Sequence, residues 1–466
     1  MYKTNTHPCV SSFLALFLVS TATLAADFTS SKQSEKTAIN QVVGQSITLD
    51  QAIDYALANN PDLQIAVERI NQADAQLGVA LSAFYPQIST KVTYETSNNP
   101  AQVFAMIVAQ RDFNNPGSIA NINNPGYRQN FRPEIIGKLS LFRGGQDYQN
   151  SKAAALGIEA AEFERSSIRN ALIQAVNSTY YAYLAALEAQ QVAQQAVIAI
   201  ESELKQTQLK QAAGTVLKSE VLSLDVKLAE AQEAQIRAAN GIESAKVGMA
   251  NLLGLPSQQV FSISPASSIF VAPKLTSSFN ELFEQALAQR PEVKAAANQL
   301  EIATRKVKSA RGAYLPKADA YVRYGQNSQT PDFSSSKDNV TAGIAVEMDL
   351  FSGFNTQQQL RTAELKVAEA TETERKTKLA IEQEVKMAYL KLQEGLARLN
   401  VTDKSVQAAD EALRLVKEER HAEVVTVTRY IEAEVARNTA QSNSIAAHYD
   451  VLSAEAALKK AIGTWK

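Results

Sequence analysis

Among the side chains able to do chemistry, His421 and Glu423 have the most suggestive spacing, two positions apart in Arg420-His421-Ala422-Glu423. An imidazole and a carboxylate so placed supply two metal ligands, whereas a zinc site takes three or four. No cysteine or second histidine lies near them in sequence, so solvated turn residues are the expected role. Tyr180, Tyr181 and Tyr183 would make a stacking surface for a planar ligand. Tyr180 is matched by Tyr389 and Tyr183 by Leu392, each 209 positions on, which favours helix packing instead. There is no phosphate loop, dinucleotide fingerprint, Gly-x-Ser-x-Gly elbow or metal-spaced cluster. No catalytic residue, metal ligand or cofactor is expected, and the chain does not read as an enzyme.

The bulk properties narrow the class. The sequence has 466 residues and a formal net charge of −2, too balanced to suggest a nucleic-acid partner. Residues 1–25 read as a secretory signal: Lys3 is the charge, Phe13 to Val19 the apolar core, and Thr23-Leu24-Ala25 the small cleavage residues. The only cysteine, Cys9, would leave with it. No later apolar run is long enough for a membrane helix, so a membrane would have to be crossed by strands.

Two stretches organise the rest, and each copies the other. Ala83-Phe84-Tyr85-Pro86 leads into Ile88, Thr90, Val92 and Tyr94, alternating with Gln87, Ser89, Lys91, Thr93 and Glu95. Ala313-Tyr314-Leu315-Pro316 opens the same pattern 230 positions later, through Tyr324. Strict alternation marks a strand with one apolar and one polar face. A return strand follows each, with Ile135, Leu139 and Leu141 against Glu134, Lys138 and Ser140, and with Ala342, Ile344, Val346, Met348 and Leu350 against their polar neighbours. The hairpins span about 85–143 and 315–352. The connection at about 97–128 is rich in Asn, Pro and Gly and is expected to be a loop, one long enough to be functional or to fold back on itself.

From 146 to 213, and again from 355 to 422, the sequence is free of proline and poor in glycine. A helix of 68 residues is about 100 Å long, more than a compact domain needs. Val385, Leu392, Leu399, Val406 and Leu413 recur every seven residues, as do Val176, Tyr183, Val197 and Leu204 with Gln190 interrupting, the pattern of helices packed in coiled-coil fashion. Return helices are expected at 216–253 and 425–462. Each is too short to cover its long partner, so the helix at about 62–84 would continue the row. The expected organisation is a first repeat at 26–254, a linker at 255–278 and a second repeat at 279–466.

Each strand has about the ten residues that a tilted strand needs to cross a bilayer. An open sheet edge in lipid leaves backbone groups unpaired, and four strands do not close a barrel. The chain is therefore expected to oligomerise.

The ordered motifs resemble the TolC-type outer membrane efflux proteins over about 47–466. They are Ala-Leu-Ala-Asn-Asn-Pro (56–61), Ala-Leu-Ala-Gln-Arg-Pro (286–291), the Tyr85-Pro86 and Leu315-Pro316 strand entries, Leu-Phe-Arg-Gly-Gly (141–145), Leu-Phe-Ser-Gly-Phe (350–354), Leu-Leu-Gly (252–254) and Ala-Ile-Gly (461–463). The resemblance implies a mixed α/β membrane protein: a long antiparallel α-helical barrel plus a transmembrane β-barrel of four strands per protomer, twelve in a homotrimer. It implies an outer membrane location with the helical tunnel in the periplasm, a periplasmic adaptor, an inner-membrane pump of RND, ABC or MFS type, and a role in tripartite efflux or type I secretion. Two other readings stand beside it, a periplasmic coiled-coil scaffold and a porin without a pump.

The resemblance also points to the helix turns. Gly214, Thr215 and Val216 in the first, and Glu423, Val424 and Val425 in the second, fall on the adaptor-docking tip. Glu220 matches an acidic start to the return helix, and Glu423 stands where relatives have glycine. The two acidic constriction residues of the family fall on Arg429 and Glu432, so one charge is reversed. A mixed ring is expected to attract cations less than a doubly acidic one, and Arg429 would pair with carboxylates between helices to hold the gate shut.

Overall fold

The computed structural model describes residues 46–258, 261–264, 272–333 and 335–465. The expected signal at 1–25, with Cys9, and part of the expected linker lie outside the described residues. The chain falls into two compact units, each built from separated segments: 65–167 with 290–381, and the stretches up to 64, 168–289 and 382 onward.

Chain order begins with a short strand β1 (Ser46–Ile47), α1 (Leu49–Asn59) and α2 (Pro61–Leu81), then β2 (Gln87–Ser97). The β2–β3 connection holds α3 (Pro100–Ala109) and α4 (Pro116–Ile119) before β3 (Arg128–Arg143). Then come α5 (Gln146–Ala212), α6 (Lys218–Leu252), β4 (Ser262–Ile263), α7 (Phe279–Gln289) and α8 (Pro291–Gly312). The chain closes with β5 (Lys317–Gln326), β6 (Asp338–Glu347), α9 (Asn355–His421) and α10 (Val427–Ala461).

The sheet unit contains four antiparallel strands in the order β2-β3-β5-β6. The register puts Ile88 opposite Gly137, Val92 opposite Pro133 and Tyr94 opposite Phe131. Ile135 then faces Tyr324, and Ala320, Val322 and Tyr324 face Ile344, Ala342 and Val340. Cross-strand partners share a side, so these residues form one continuous apolar face. It is bare in the single chain: Ile88 is 76%, Ile344 69% and Val346 69% exposed. The opposite face carries Lys91, Glu95, Lys138, Asp319 and Arg323, with a Lys138–Asp319 pair at 2.9 Å. A water-soluble sheet would hide its apolar face under another layer; this one presents it. Exposed Tyr85, Tyr314, Phe351 and Phe354 sit where strands meet helices, and exposed Tyr127 and Phe333 sit by the opposite strand ends. β2 and β6 each have one side without a partner strand.

Two sequence expectations change here. The ladder slips between Ser140 and Phe142, a bulge that sets Leu141 out of the alternation begun by Ile135 and Leu139. The 97–128 connection is not loop throughout, because ten of its residues form α3. Asn99 and Pro100 were loop signals in isolation, but they are also helix-start signals. The Asn99 side chain accepts from the Ala101 and Gln102 amides, and Pro100 takes the first helical position, where its missing N–H costs nothing. Gly144 has φ +62, and a Cβ there would strike the Gly312 backbone, so the junction of β3 and α5 needs glycine.

In the helical unit, α1 and α7 start alike. Thr48 and Gln51 form a reciprocal capping box, and so do Ser278 and Glu281. The long helices α5 and α9 are each 67 residues of continuous helix, of which 168–212 and 382–421 belong to this unit. Their seven-residue rows point inward: Val176 is 0%, Val385 0% and Leu392 2% exposed. One core joins Val176, Tyr180, Tyr183 and Leu184 to Ala52, Ala56, Met249 and Leu253. The Tyr180 hydroxyl donates to the Ser264 carbonyl at 2.6 Å, so this tyrosine packs and ties rather than stacks a ligand. A second core near the α5–α6 turn gathers Leu204, Val221, Leu224 and Val427, and a third holds Leu413, Val416 and Tyr430. Among the described residues no helix is long and apolar enough to cross a membrane.

Candidate functional site

The helical unit brings its two long-helix turns together, and these turns carry the residues singled out in the sequence. α5 ends in a left-handed residue, Gly214 at φ +75, with the Thr215 amide donating to the Lys210 carbonyl at 3.0 Å. This closure satisfies carbonyls that a helix end leaves open. α9 ends the same way, with the Val424 amide donating to the Glu419 carbonyl at 2.9 Å, but Glu423 occupies the left-handed position at φ +59. A side chain there costs about 1–2 kcal/mol relative to glycine. Part of that cost is offset by Lys210 Nζ, which reaches Glu423 Oε1 at 3.1 Å and ties the two turns together. Glu423 is thus a partner of Lys210 rather than of His421. Among the described residues no group of three acidic, His or Cys side chains is placed to hold a metal.

Val216 and Val425, equivalent in the two repeats, are half-buried under their turns, while Thr215 and Val424 are exposed. Thr426 caps α10, its hydroxyl accepting from the Arg429 amide at 3.4 Å.

The strongest tie at the tip is one that the motifs did not mark. The Arg420 guanidinium is buried between the α5–α6 and α9–α10 turns, its side chain only 12% exposed. Its Nε donates to Glu203 Oε1 at 3.1 Å, its Nη1 donates to the Val425 carbonyl at 3.3 Å, and Nη2 lies 3.8 Å from Glu220 Oε2. Glu220 is therefore held by a charge at a distance too long for a hydrogen bond. Arg420 joins α9 to α5 and to the start of α6. A cleft of about 470 Å³ opens beside it, lined by Glu203, Lys210, Arg420, Glu423 and Tyr430.

Arg429 and Glu432 lie on α10, and both are open to solvent, 60% exposed. Within the chain Arg429 pairs with Glu432 of its own helix, Nη1 to Oε2 at 3.4 Å, three residues along. The structure thus gathers Glu220 into the Arg420 cluster and leaves Arg429 and Glu432 on a solvent-facing surface. Glu220 and Arg429 are repeat equivalents, 209 positions apart, with opposite charge.

One buried carboxylate completes the tip. Glu434 is 3% exposed, its Oε2 has no hydrogen-bond partner, and Lys417 Nζ stands 3.8 Å away. Burial pushes its carboxyl up, and Lys417 and Arg437 only partly counter that. Burial likewise raises the Tyr430 hydroxyl, with Glu434 and Glu203 adding to it.

α6 also carries an exposed apolar stripe. Leu222, Val226, Ile236 and Val247 fall on one helical face and are 50–63% exposed.

Residues 52–255 and 282–464 match the family model described as outer membrane efflux protein. The chain is 25% identical over 419 residues to the pyoverdine export outer membrane protein OpmQ of Pseudomonas putida, covering 89% of this chain and 85% of that one. It is 25% identical to the protein CyaE of Bordetella pertussis, over 75% of this chain and 70% of that one. Among solved structures, the CmeC outer membrane channel of Campylobacter jejuni superposes with a TM-score of 0.76 at 19% identity, covering 89% of this chain and 85% of that chain.

Proposed function

Because the chain belongs to the outer membrane efflux protein family and is an outer membrane export channel, we propose that it works as a homotrimer linked through a periplasmic adaptor to an inner-membrane pump of RND, ABC or MFS type, in tripartite efflux or type I secretion. The observation that carries this reading is the sheet. It has one apolar face bare to its surroundings, one charged face, and two edges without partners. In lipid such edges must be closed. β2 of one copy beside β6 of the next closes them, and three copies give twelve strands, a barrel with its polar face on a water-filled lumen. The bare stripe on α6 gives neighbouring helices an apolar seam.

The turns take the remaining roles. Thr215, Val216, Val424 and Val425, with Gly214 and Glu423 shaping the backbone, form the surface that meets the adaptor. Glu220, Arg429 and Glu432 belong to the periplasmic gate. Support for this comes from Glu220 being held by the buried Arg420 and from Arg429 and Glu432 standing exposed on one helix face. Each copy contributes Arg429 and Glu432 to that exposed face, so the ring would be mixed in charge.

The experiment is a single cysteine at Val424, which is 75% exposed, in a chain with Cys9 removed, crosslinked in living cells and analysed by mass spectrometry. Capture of a periplasmic adaptor supports the reading, and the adaptor's class separates efflux from protein secretion. Capture of cytoplasmic proteins alone would overturn it.

A further inference from the structure

The connection between β2 and β3 contains a helix with no charged residue. α3 reads Pro-Ala-Gln-Val-Phe-Ala-Met-Ile-Val-Ala, with Val103, Met106 and Ile107 buried and Phe104 and Val108 left exposed on the other side. Phe113 stands edge-on to Phe104 at 5.8 Å and is exposed as well. Apart from Gln102 the helix is apolar on every side, and such a helix is normally covered.

The position of α3 decides what can cover it. Gln110, at its C-terminal end, donates to Asn130 Oδ1 at 3.1 Å, and Asn130 Nδ2 donates to Glu95 Oε1 at 3.2 Å. Arg128 donates to Gln110 Oε1 at 2.9 Å and to Asp112 Oδ2 at 2.7 Å. Arg128, Asn130 and Glu95 lie on the polar face of the sheet, with Gln87, Ser89 and Lys91. Asn130 is only 3% exposed, although that face is polar. α3 is thus pinned over the charged side of the sheet, opposite the face of Ile88, Val92 and Ile344, so lipid does not reach Phe104. Arg111 fixes it further. Held at φ +54, it donates to the Ser336 carbonyl at 2.8 Å and the Asp338 carbonyl at 2.7 Å, joining the first hairpin's loop to the second's. A non-glycine residue in that conformation persists where its surroundings over-determine it.

We propose that the α3 helices of neighbouring copies meet across the lumen and cover each other's Phe104, Val108 and Phe113, making an apolar constriction at the barrel mouth away from the long helices. The inference rests on the oligomeric-barrel reading above. The occupant of the bare α3 face is a second copy because only other copies share the lumen side of a closed sheet. An uncharged surface meets its own copy without repulsion, and apolar rings impede water and ions.

The test uses full-length protein with Cys9→Ser. Phe104→Cys, treated in detergent with a short bismaleimide, is expected to give a species at twice the chain mass, the most that one thiol per copy allows. Tyr127→Cys, on the outer side, is expected to give none. In cells, a bulky polyethylene-glycol maleimide should label Ser89→Cys, inside the lumen, severalfold faster when Phe104→Ser and Val108→Ser are added. A multimeric mass by light scattering, with no Phe104→Cys crosslink and unchanged Ser89→Cys labelling, would overturn the constriction and leave the barrel standing. A monomeric mass would overturn the barrel reading and the constriction with it.

Discussion

Arg420 offers the sharpest test of how the tip is held. The perturbation is Arg420→Met, which keeps the apolar stem and removes the guanidinium. The Glu203 and Arg420 side chains are each 12% exposed and 3.1 Å apart, so the substitution strands a carboxylate that water barely reaches. Breaking a fully buried pair costs about 3–5 kcal/mol, and the residual exposure places this one near 3 kcal/mol. Glu203→Gln alone is milder, about 1–2 kcal/mol, since Arg420 keeps Val425 and Glu220. With both substitutions no charge is stranded, and the cost should be about 2 kcal/mol rather than the roughly 4–5 kcal/mol of the sum. Native-state hydrogen exchange at amides 210–220 and 420–427 measures this directly. At about 1.4 kcal/mol per tenfold, Arg420→Met should speed exchange there by at least about a hundredfold, and the double variant, at about 2 kcal/mol, by only about thirtyfold. Single-channel conductance should rise in step if Arg420 holds Glu220 and the turns together. Additivity of the two substitutions within about 0.5 kcal/mol would refute the reasoning, since it would mean that the two charges do not sense each other.

Adding a side chain at one left-handed turn position and removing one at the other should have opposite effects. Gly214→Ala should cost about 1–2 kcal/mol, whereas Glu423→Gly removes the same left-handed cost and loses only a partly exposed pair with Lys210 worth up to about 1 kcal/mol. Midpoints of unfolding in detergent should therefore fall for the first and hold or rise for the second; a clear fall for Glu423→Gly would show that the Lys210 tie dominates. Glu434 supplies a pH dependence. Its folded carboxyl is raised, chiefly by burial, so its contribution is fully present below the unfolded value and is lost as pH rises through the folded one. Glu434→Gln, which cannot ionise, should match the parent in acid and become progressively more stable than it as pH rises to neutral. A stability difference that does not vary with pH would show that Lys417 fully compensates the buried charge.

What could be read in the sequence followed from local rules. Alternation at period two marked the strands, because side chains of a strand alternate by geometry whatever the fold. Proline-free runs with a seven-residue apolar row marked the long helices, because burial of one stripe requires it. The turn residues Gly214 and Glu423 stood out through the resemblance to the family, and the left-handed backbone at both explains why a glycine is usual there. The same local reading failed at Asn99-Pro100, where loop and helix-start signals coincide and only the apolar residues that follow, packing on Asn130's side of the sheet, decide for helix. It also missed the bulge at Leu141, which depends on how β5 pairs with β3.

Sequence alone therefore determined the two-faced strands, the long helices and the family, each of which is written in the order and period of neighbouring residues. Tertiary structure alone decided the tip cluster and the pinned α3. Glu203 and Arg420 are 217 positions apart, and Arg111 and Ser336 are 225. No period in a chain announces such pairs; packing the long helices carries Arg420 to the nearly buried Glu203, where a charge needs a partner, and closing the β-hairpins carries Arg111 to the Ser336 carbonyl.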